Sequence, residues 1–354
     1  MRIALLNDTH CGIRNSSDIF IGYQERFYNE IFFPYCLEND IKHILHLGDY
    51  YEHRRFINFK ALRSNRRCFL GKLREYGMTM DIILGNHDVY YKNTNDLNSL
   101  KELLGHYMNE VNIITKPKVM DYDGMKMALI PWIAPDIEVE TMKFLKKCKC
   151  DIIGAHLELS GFDVTPGQKM IGGMDAKIFS KFEMVLSGHY HTKSSSGNIH
   201  YLGSQMEFFW NDAHDSKYFH VLDTSDRSLL PILNPITLFE KIYYDDRGDT
   251  DYLTTDVSHL RDKFIKLYVM NKSNPFVFDR FLDRIQDQPI LELKIAENFQ
   301  EFLGESVSDE HVKLENTEEL LNTYIDSIDT DLDKSKIKKL VSELMTESES
   351  MEIS

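Results

Sequence analysis

Five short apolar segments of the sequence are each followed by aspartate, asparagine or histidine, residue types that can bind a metal ion or move a proton. A short apolar run is typical of a buried strand, and open α/β sheets bind ligands where their strands end. The residues in question offer oxygen and nitrogen donors and no thiolate, a combination that favours Mn²⁺, Fe²⁺ or Zn²⁺ over Ca²⁺ or Mg²⁺. The candidate metal ligands are Asp8, His10, Asp49, Asn86, His156, His189 and His191.

Each of these segments, taken alone, is also compatible with an ordinary capped turn. Their number argues against coincidence, and the spacing supports a shared site, because Asp8 and His10 point to the same side of an extended chain. Seven ligands are too many for one ion and suit two ions if one carboxylate bridges them. Two divalent ions can clamp the attacking and leaving oxygens of a phosphoryl displacement. The sequence therefore predicts a two-metal centre, with Mn²⁺, Fe²⁺ or Zn²⁺ as the candidate metals.

The segment Leu84-Gly85-Asn86-His87-Asp88 adds groups that could handle a proton. Metal-activated water needs no separate strong base, so the remaining requirement is a proton for the leaving alkoxide. We predict that His87 donates this proton and that Asp88 holds the tautomer of His87. Two other histidines, His43 and His46, lie inside an apolar strand and are interpreted as structural.

The order of the motifs, Asp-x-His, Gly-Asp, Gly-Asn-His-Asp, Gly-x-His and Gly-His-x-His, resembles the calcineurin-like metallophosphoesterase signature. The resemblance covers roughly residues 1–225. It implies an α/β fold in which a β-sandwich is flanked by helices. It also implies one ion held by Asp8, His10, Asp49 and His191, and a second held by Asp49, Asn86, His156 and His189.

Within this superfamily the sequence most resembles SbcD-type DNA double-strand-break nucleases, and among these the phage recombination nucleases. That resemblance implies a 3′→5′ exonuclease and single-strand endonuclease that works with an SbcC-like, SMC-type ATPase in recombination, repair and replication. Some cellular members have histidine three residues after the bridging aspartate, where this chain has Glu52 followed by His53, so the role of these two residues stays open. The similar segments are 48–52, 84–88, 128–132, 154–161 and 188–192.

A basic run occupies residues 54–74, with eight lysine or arginine side chains and no acidic one. Uncompensated positive charge beside a candidate phosphoesterase site predicts contacts to a DNA backbone. A solvated helix face is the alternative, and the family resemblance also implies a homodimer formed through segments near 24–37 and 61–76. DNA contact and dimerisation thus both remain open for this helix. The candidate DNA-binding residues are Arg54, Arg55, Arg63, Arg66 and Arg67.

The C-terminal third lacks the motifs, and its composition changes. We predict a nuclease domain over residues 1–237, a small α/β capping domain over 238–304, and an acidic helical tail over 305–354. Residues 301–354 contain 15 acidic and five basic side chains and two short amphipathic patterns. Helices this short need a surface to cover their apolar faces. The resemblance implies that the ATPase provides it, and packing on the chain's own domain is the alternative.

Composition places the chain among ordinary globular proteins, with 42% hydrophobic and 27% charged residues and a net charge of −15. Its five cysteines are an odd number and do not suggest a disulfide framework. No apolar run reaches membrane-spanning length, so we expect a protein of the cytoplasm, or of the host cytoplasm if it comes from a phage, without membrane contact. A phosphatase or small-molecule phosphodiesterase on the same fold is the alternative function, because the metal ligands do not separate these substrates.

Overall fold

The computed structural model describes residues 1–165, 168–170 and 172–297, together with Lys334 and Lys336. Apart from these two lysines, the predicted acidic tail lies outside the described residues. Among the described residues, no helix is long and apolar enough to cross a membrane. The strands are β1 (Arg2–Leu6), β2 (His43–His46), β3 (Thr79–Ile83), β4 (Val111–Ile114), β5 (Lys118–Tyr122), β6 (Met125–Ile130), β7 (Ile152–His156), β8 (Asp163–Thr165), β9 (Gln168–Lys169), β10 (Met184–Gly188), β11 (Ser194–Ser196), β12 (Ile199–Tyr201), β13 (Tyr218–Asp223), β14 (Leu229–Leu233), β15 (Phe239–Asp245), β16 (Phe264–Asn271) and β17 (Glu292–Ala296).

Helices connect most of these strands, and two of the helical stretches contain π-helical turns. The π-helical segments are Phe27–Phe32 and Arg66–Leu70. The α-helical segments are Ile13–Ser16, Asp18–Arg26, Phe33–Glu38, Phe59–Asn65, Gly71–Glu75, Ser99–Leu104, Pro135–Lys147 and Pro275–Gln286. Short 3₁₀ segments lie at Gly105–Tyr107, Ala176–Phe179, Trp210–Asp212 and Ser258–Leu260.

Two six-stranded sheets form the core, in the orders β14-β13-β1-β2-β3-β4 and β11-β12-β10-β7-β6-β5. The strands β1 to β4 are parallel neighbours in the first sheet, and β6, β7, β10 and β12 are parallel neighbours in the second. Within each sheet the carboxyl ends of the parallel strands therefore share one edge. The candidate ligands predicted from the sequence follow β1, β2 and β3 of the first sheet and β7 and β10 of the second, at these carboxyl-end edges.

The residues of β1 show why both faces of these sheets are apolar. Ile3 and Leu5 belong to a buried cluster formed by residues from both sheets, whereas Ala4 and Leu6 belong to a cluster with the helices on the outer face. Successive side chains of a strand point to opposite faces, and both faces are covered here. A third buried cluster joins the outer face of the second sheet to Leu145 of the helix Pro135–Lys147. The predicted β-sandwich flanked by helices is confirmed.

The segment near 24–37 lies in a longer helical stretch that is not a regular α-helix. This stretch begins at Asp18 and passes through the π-helical turn Phe27–Phe32 before ending at Glu38. Tyr28 and Phe33 pack on Phe69 of the second π-helical turn, with ring centroids 4.8 and 5.7 Å apart. A π turn changes the faces that a helix presents. Here both turns contribute aromatic rings to the core beneath the first sheet.

The described chain consists of two compact units. The first contains residues 1–241, 258–265 and 288–292, and the second contains 242–257, 266–287 and 293–297 of the described chain. The second unit holds most residues of the sheet β15-β16-β17 and the helix Pro275–Gln286. Its apolar core includes Tyr244, Tyr252 and Phe281 in mutual ring contact. The predicted boundary at residue 237 and the capping role stay predictions.

Candidate metal centre

The structure brings the seven predicted ligands together from the carboxyl ends of β1, β2, β3, β7 and β10. The carboxylate and imidazole members fall into three overlapping groups in which the donor atoms all lie within 4.8 Å of one another. Asn86 joins the third group, because its Oδ1 lies 3.1 Å from His156 Nε2 and 2.9 Å from His189 Nδ1. The three groups are Asp8, His10 and His191; His10, Asp49 and His87; and Asp49, His156 and His189.

Four of these ligands have positive φ angles, which residues other than glycine rarely adopt. The φ angles are 47° at Asp8, 43° at His10, 54° at Asp49 and 93° at His189. Each such residue costs on the order of 1–3 kcal/mol, and this strain persists where the surrounding structure imposes it, most often at functional sites. The strain here marks the points where the chain leaves β1, β2 and β10 and turns across the sheet edge.

Two glycines are required by how closely the loops approach one another. A Cβ atom on Gly85 would lie 2.1 Å from Asp49 Oδ1 and 2.3 Å from Asp49 N. A Cβ atom on Gly48, whose φ is 90°, would lie 2.5 Å from His156 Nδ1. The glycines of the Gly-Asp and Gly-Asn-His-Asp motifs therefore allow the ligand-bearing loops of β2, β3 and β7 to pack against each other.

Asp49 lies between the two halves of the centre. Its Oδ2 is 3.3 Å from His156 Nε2 and 3.9 Å from His10 Nε2, while its Oδ1 accepts a hydrogen bond of 2.8 Å from the backbone N–H of His87. Burial opposes ionisation of Asp49, and the nearby His156 and His87 outweigh it, so the pKa of this carboxyl is held well below its ordinary value. A buried carboxylate in this position suits the bridging role predicted for it.

Asp8 is the second buried carboxylate, and it accepts hydrogen bonds of 2.6 Å from Asn7 Nδ2 and of 3.0 and 3.1 Å from the backbone N–H of His189. Burial raises the pKa of Asp8 above its ordinary value. Next to it, His10 Nε2 and His191 Nε2 are 3.0 Å apart. Two facing imidazole nitrogens beside two buried carboxylates form a donor set that fits divalent cations.

Three ligand histidines have a polar partner within 3.1 Å of the ring nitrogen that points away from the centre, so the other ring nitrogen faces the centre. His156 Nδ1 donates to the Leu47 carbonyl at 2.7 Å. His10 Nδ1 lies 2.6 Å from Glu52 Oε2, and His189 Nε2 lies 3.1 Å from Glu158 Oε2. Such outer partners set the tautomer and orientation of ligand histidines. Burial lowers the pKa of His10, but the Glu52 carboxylate raises it by more, to about 9.

Glu52 and Glu158 are therefore part of the site, although neither belongs to the ligand set predicted from the sequence. The sequence leaves the role of Glu52 open, and Glu158 is not among the predicted site residues. One signal was available for Glu158, because it is a carboxylate two residues after the predicted ligand His156. Nothing in the sequence pairs Glu52 with His10, since this contact joins two separate loops.

His87 is half-buried beside the ligands, and its orientation differs from the prediction. Its ring centroid lies 4.8 Å from that of His10, and its Nδ1 donates to the Glu52 carbonyl at 2.7 Å. Asp88 was expected to hold this tautomer, but its oxygens instead accept three backbone N–H groups, at 2.8 to 3.2 Å. The donors are Gly85, Tyr50 and Tyr51.

The physical reason for this correction is burial. Asp88 has no solvent exposure, so its carboxyl oxygens must find partners inside the protein, and the nearest donors are the amides of the loops after β2 and β3. Burial and the nearby Asp49 charge raise the pKa of Asp88 to about 7. Asp88 thus fastens the two loops together, and a carbonyl group orients His87.

Aromatic rings surround the ligands on both sides. Trp132 lies 5.5 Å from His189 and 6.1 Å from His156 between ring centroids. Phe208 lies 5.7 Å from His10, and Phe209 is stacked on His191 at 6.1 Å. These rings were not predicted to belong to the site. They exclude water from the sides of the cluster, which strengthens the electrostatic interactions inside it.

The positive charges of the basic run at residues 54–74 are partly compensated by acidic side chains from other parts of the chain. At least four of its eight cations contact acidic side chains among the described residues, so the expectation of eight uncompensated charges was wrong. Of the predicted DNA-binding residues, Arg54 is half-buried, and Arg55, Arg63, Arg66 and Arg67 are exposed. Among the residues that the structure describes, Arg63 and Arg66 have no acidic partner within ion-pair distance. The pairs are Lys60–Asp18, Arg67–Glu25, Lys72–Glu75 and Arg74–Glu110.

The chain is similar in sequence to known phosphoesterases and nucleases. The Calcineurin-like phosphoesterase family profile matches residues 1–193. Exonuclease subunit 1 of Enterobacteria phage T4 is 28% identical over 349 residues, which covers 98% of this chain and 99% of that protein. A subunit of the nuclease SbcCD from Staphylococcus epidermidis is 27% identical over 143 residues, which covers 34% of this chain and 38% of that protein.

Among solved structures, a novel archaeal phosphodiesterase covers 66% of this chain and 100% of its own chain, with 15% identity and a TM-score of 0.34. The family profile spans more than half of the sequence, including the Asp-x-His, Gly-Asp, Gly-Asn-His-Asp, Gly-x-His and Gly-His-x-His motifs. The same motifs supply the side chains that converge in the centre. This chain belongs to the calcineurin-like phosphoesterase family.

Proposed function

We propose that the chain is the nuclease subunit of a DNA-processing complex and hydrolyses DNA phosphodiesters with two divalent metal ions, Mn²⁺ being the expected metal. The observation that carries the proposal is the combination of a converged ligand set with similarity to an exonuclease subunit along nearly the whole chain. The expected activities are those of a 3′→5′ exonuclease and a single-strand endonuclease. A phosphatase or small-molecule phosphodiesterase is the competing activity for the same centre.

In this proposal Asp8, His10, Asp49 and His191 hold one ion. The other is held by Asp49, Asn86, His156 and His189. When bound, the two ions neutralise charge on the phosphodiester and activate the attacking water. The surrounding loops keep the ligand side chains in position before substrate arrives, which reduces the reorganisation required during the reaction.

His87 is the group that supplies a proton to the leaving alkoxide. Its Nδ1 proton is directed at the Glu52 carbonyl, so the free side of the ring is Nε2. The half-buried position of His87 next to the ligands allows its ring to approach substrate. Asp88 supports this indirectly, because it fixes the loop that carries His87.

The preference for DNA rests on the exposed basic side chains after β2. Arg63 and Arg66 project from the first helical turns after residue 58, and Arg55 lies 5.7 Å above the ring of Tyr90. Arginine side chains fix a nucleic acid mainly through its phosphates. We therefore assign Arg55, Arg63 and Arg66 to backbone contacts, with the half-buried Arg54 and the ion-paired Arg67 in supporting positions.

The partner assignment rests on relatives whose names describe them as subunits. We propose that residues 305–354 bind an SMC-type ATPase and that the helices near 24–37 and 61–76 form a homodimer. Deletion of residues 316–345 should abolish co-purification with the ATPase subunit and leave Mn²⁺-dependent cleavage of short oligonucleotides intact. Loss of both properties would mean that the tail supports the catalytic domain itself.

The first experiment is hydrolysis of an end-labelled duplex by the purified chain with Mn²⁺, with Asp49→Ala as control. Stepwise shortening by the wild type alone would support the proposal. Turnover of an aryl phosphodiester without any cleavage of duplex, single-stranded or nicked DNA would instead favour the small-molecule activity. Absence of both reactions, in a chain that binds Mn²⁺, would contradict an autonomous hydrolase.

A second experiment tests the DNA contacts. The double variant Arg63→Ala/Arg66→Ala should weaken DNA binding and lower the slope of log affinity against log salt by roughly one for each phosphate-binding side chain that it removes. Arg74→Ala is the matched control, because Arg74 is paired with Glu110. Hydrolysis of an aryl phosphodiester should not change in either variant. Equal salt slopes in the double variant and the control would remove these arginines from the interface.

A further inference from the structure

Two carboxylates outside the predicted ligand set each touch one ligand histidine, one on each side of the centre. Glu52 Oε2 lies 2.6 Å from His10 Nδ1, and Glu158 Oε2 lies 3.1 Å from His189 Nε2. In both cases the other ring nitrogen is the one that faces the centre. His10 Nε2 lies 3.0 Å from His191 Nε2, and His189 Nδ1 lies 2.9 Å from Asn86 Oδ1.

His10 therefore faces the centre with Nε2, and His189 faces it with Nδ1. In each ring a carboxylate lies next to the opposite nitrogen. Without a partner at the far nitrogen, an imidazole can exchange tautomers and rotate about its χ2 torsion. His156 shows that a neutral group can also do this task, because the Leu47 carbonyl accepts its Nδ1 proton. A carboxylate does more than a carbonyl, since its charge increases the donor strength of the ring toward a cation.

The backbone holds Glu52 in position independently of its side chain. The Glu52 N–H donates to the Cys11 carbonyl at 3.1 Å, and its own carbonyl accepts the His87 Nδ1 proton at 2.7 Å. One residue thus contacts His10 through its side chain and His87 through its main chain. Replacing the side chain should disturb the first contact and leave the second in place.

Glu158 is held in a comparable way. It lies two residues beyond the end of β7, and its carbonyl accepts the Met174 N–H at 2.9 Å. Its side chain is 25% exposed, and that of Glu52 is 17% exposed, so both carboxylates are largely shielded from water where they meet the imidazoles. Shielding of this kind makes a carboxylate–imidazole contact stronger than the same pair on the surface.

We propose that Glu52 and Glu158 are positioning residues that fix the metal-facing nitrogens of His10 and His189, and that each controls the affinity of one of the two ion sites. This inference rests on the proposed metal centre and goes beyond it, because it assigns a separate determinant to each ion. Glu52 acts on the ion held by His10, and Glu158 acts on the ion held by His189.

The test is calorimetric titration of the purified full chain with Mn²⁺ alone. Glu52→Gln and Glu158→Gln should each weaken one of two Mn²⁺ binding constants by about 10–100-fold and leave the other within a factor of about three. Glu240→Gln is the matched control, because Glu240 also pairs with a histidine, His214, at 2.9 Å but outside the ligand set. The control should bind Mn²⁺ as the wild type does.

A double-mutant cycle separates positioning from general support of the fold. In a His10→Ala background, Glu52→Gln should cause no further loss of Mn²⁺ affinity, and Glu158→Gln should have the same relation to His189→Ala. Additive losses would overturn the proposal, because each carboxylate would then act through something other than its histidine. Wild-type affinity in both single variants would overturn it as well.

Thermal unfolding in the presence of a chelator shows whether the variants fold. If Glu52→Gln unfolds below the assay temperature, Glu52→Asp serves in its place, and it should weaken the same binding constant because the shorter side chain retracts the carboxylate. These binding measurements can succeed even if no DNA is cleaved. Failure of the nuclease proposal and failure of the positioning proposal therefore give different results.

Discussion

The strands β2 and β3 carry two buried histidine–aspartate clusters that differ in how their polar atoms are satisfied. The first involves His43 and Asp81 within the strands, and the second involves Asp49 and the ligand histidines beyond the carboxyl ends. In the first cluster, Asp81 accepts hydrogen bonds from Asn112 Nδ2 and Tyr122 Oη, both at 2.7 Å, and His43 Nε2 lies 3.1 Å from its Oδ2. The other nitrogen of His43 lies 2.7 Å from Thr79 Oγ1.

In the second cluster the polar atoms are not all paired with complementary hydrogen-bonding partners. Imidazole nitrogens face one another across 3.0 Å, and carboxylates face several imidazoles at once. The same residue types thus give a complete hydrogen-bond network in one place and a cation-binding arrangement in the other. The comparison indicates that histidine beside aspartate fits a metal ion only where the other partners leave donor nitrogens facing one point.

Asp49→Asn should have the largest effect of the substitutions that test this comparison, because it removes the charge that the two proposed ion sites would share. We expect loss of Mn²⁺ from both sites and hydrolysis that falls to the rate without metal. Titration with Mn²⁺ and turnover of an aryl phosphodiester measure the two effects. Retention of two bound ions would show that the centre is assembled without a bridging carboxylate.

His87→Ala should keep both ions and lose turnover. Removal of a general acid costs about 10²–10⁴-fold in rate, and His87 is not among the proposed ligands. The measurement is kcat for an aryl phosphodiester at saturating Mn²⁺, together with the Mn²⁺ stoichiometry. A substrate with a leaving group of low pKa provides the control, because it needs little protonation and should lose less rate. Loss of an ion would reassign His87 as a ligand.

Gly85→Ala should damage the centre through packing alone. The added Cβ would overlap Asp49, so we expect a loss of about 1–3 kcal/mol in the free energy of unfolding and weaker Mn²⁺ binding. Gly22→Ala is the matched control, because no atom lies within 4 Å of its Cβ position and the residue is helical. It should be neutral or stabilise by up to about 1 kcal/mol. Chemical denaturation measures both variants.

Asp81→Asn should leave Mn²⁺ binding and turnover unchanged and lower stability by about 1–3 kcal/mol, because a buried hydrogen-bond network loses its acceptor charge. Burial opposes ionisation of Asp81, but hydrogen bonds from His43, Tyr122 and Asn112 outweigh it and lower its pKa. A lowered pKa stabilises the fold above the pKa of the unfolded state, and this stabilisation is lost as pH falls through the folded value.

The stability difference between wild type and Asp81→Asn should accordingly be full near neutral pH and shrink below about pH 4. Urea denaturation at several pH values measures this dependence. A constant difference down to low pH would mean that Asp81 is not ionised in the folded protein. A loss of Mn²⁺ binding in the same variant would show that the two clusters are not independent.

Much of the fold followed from local patterns, and the elements that escaped prediction have identifiable causes. The hairpin β5–β6 is predictable from the sequence, because Asp123-Gly124 is a typical turn pair, and the φ angles of 57° and 87° at these residues are those of a tight hairpin turn. The strand β14 was missed, because Pro231 interrupts its pattern and it lies at the edge of a sheet. The π turns were missed, because apolar spacing does not distinguish them from a regular helix.

The sequence by itself determined the chemistry of this protein, namely the donor types, their order and their places at strand ends. It did so because parallel strands bring their carboxyl ends to one edge whatever the loops between them contain. Only the tertiary structure decided which groups surround those donors. Glu52 contacts His10, the Asp88 carboxylate binds backbone amides instead of His87, and acidic side chains pair with several cations of the basic run. Such contacts join distant segments, and their geometry depends on how the loops pack rather than on any local pattern.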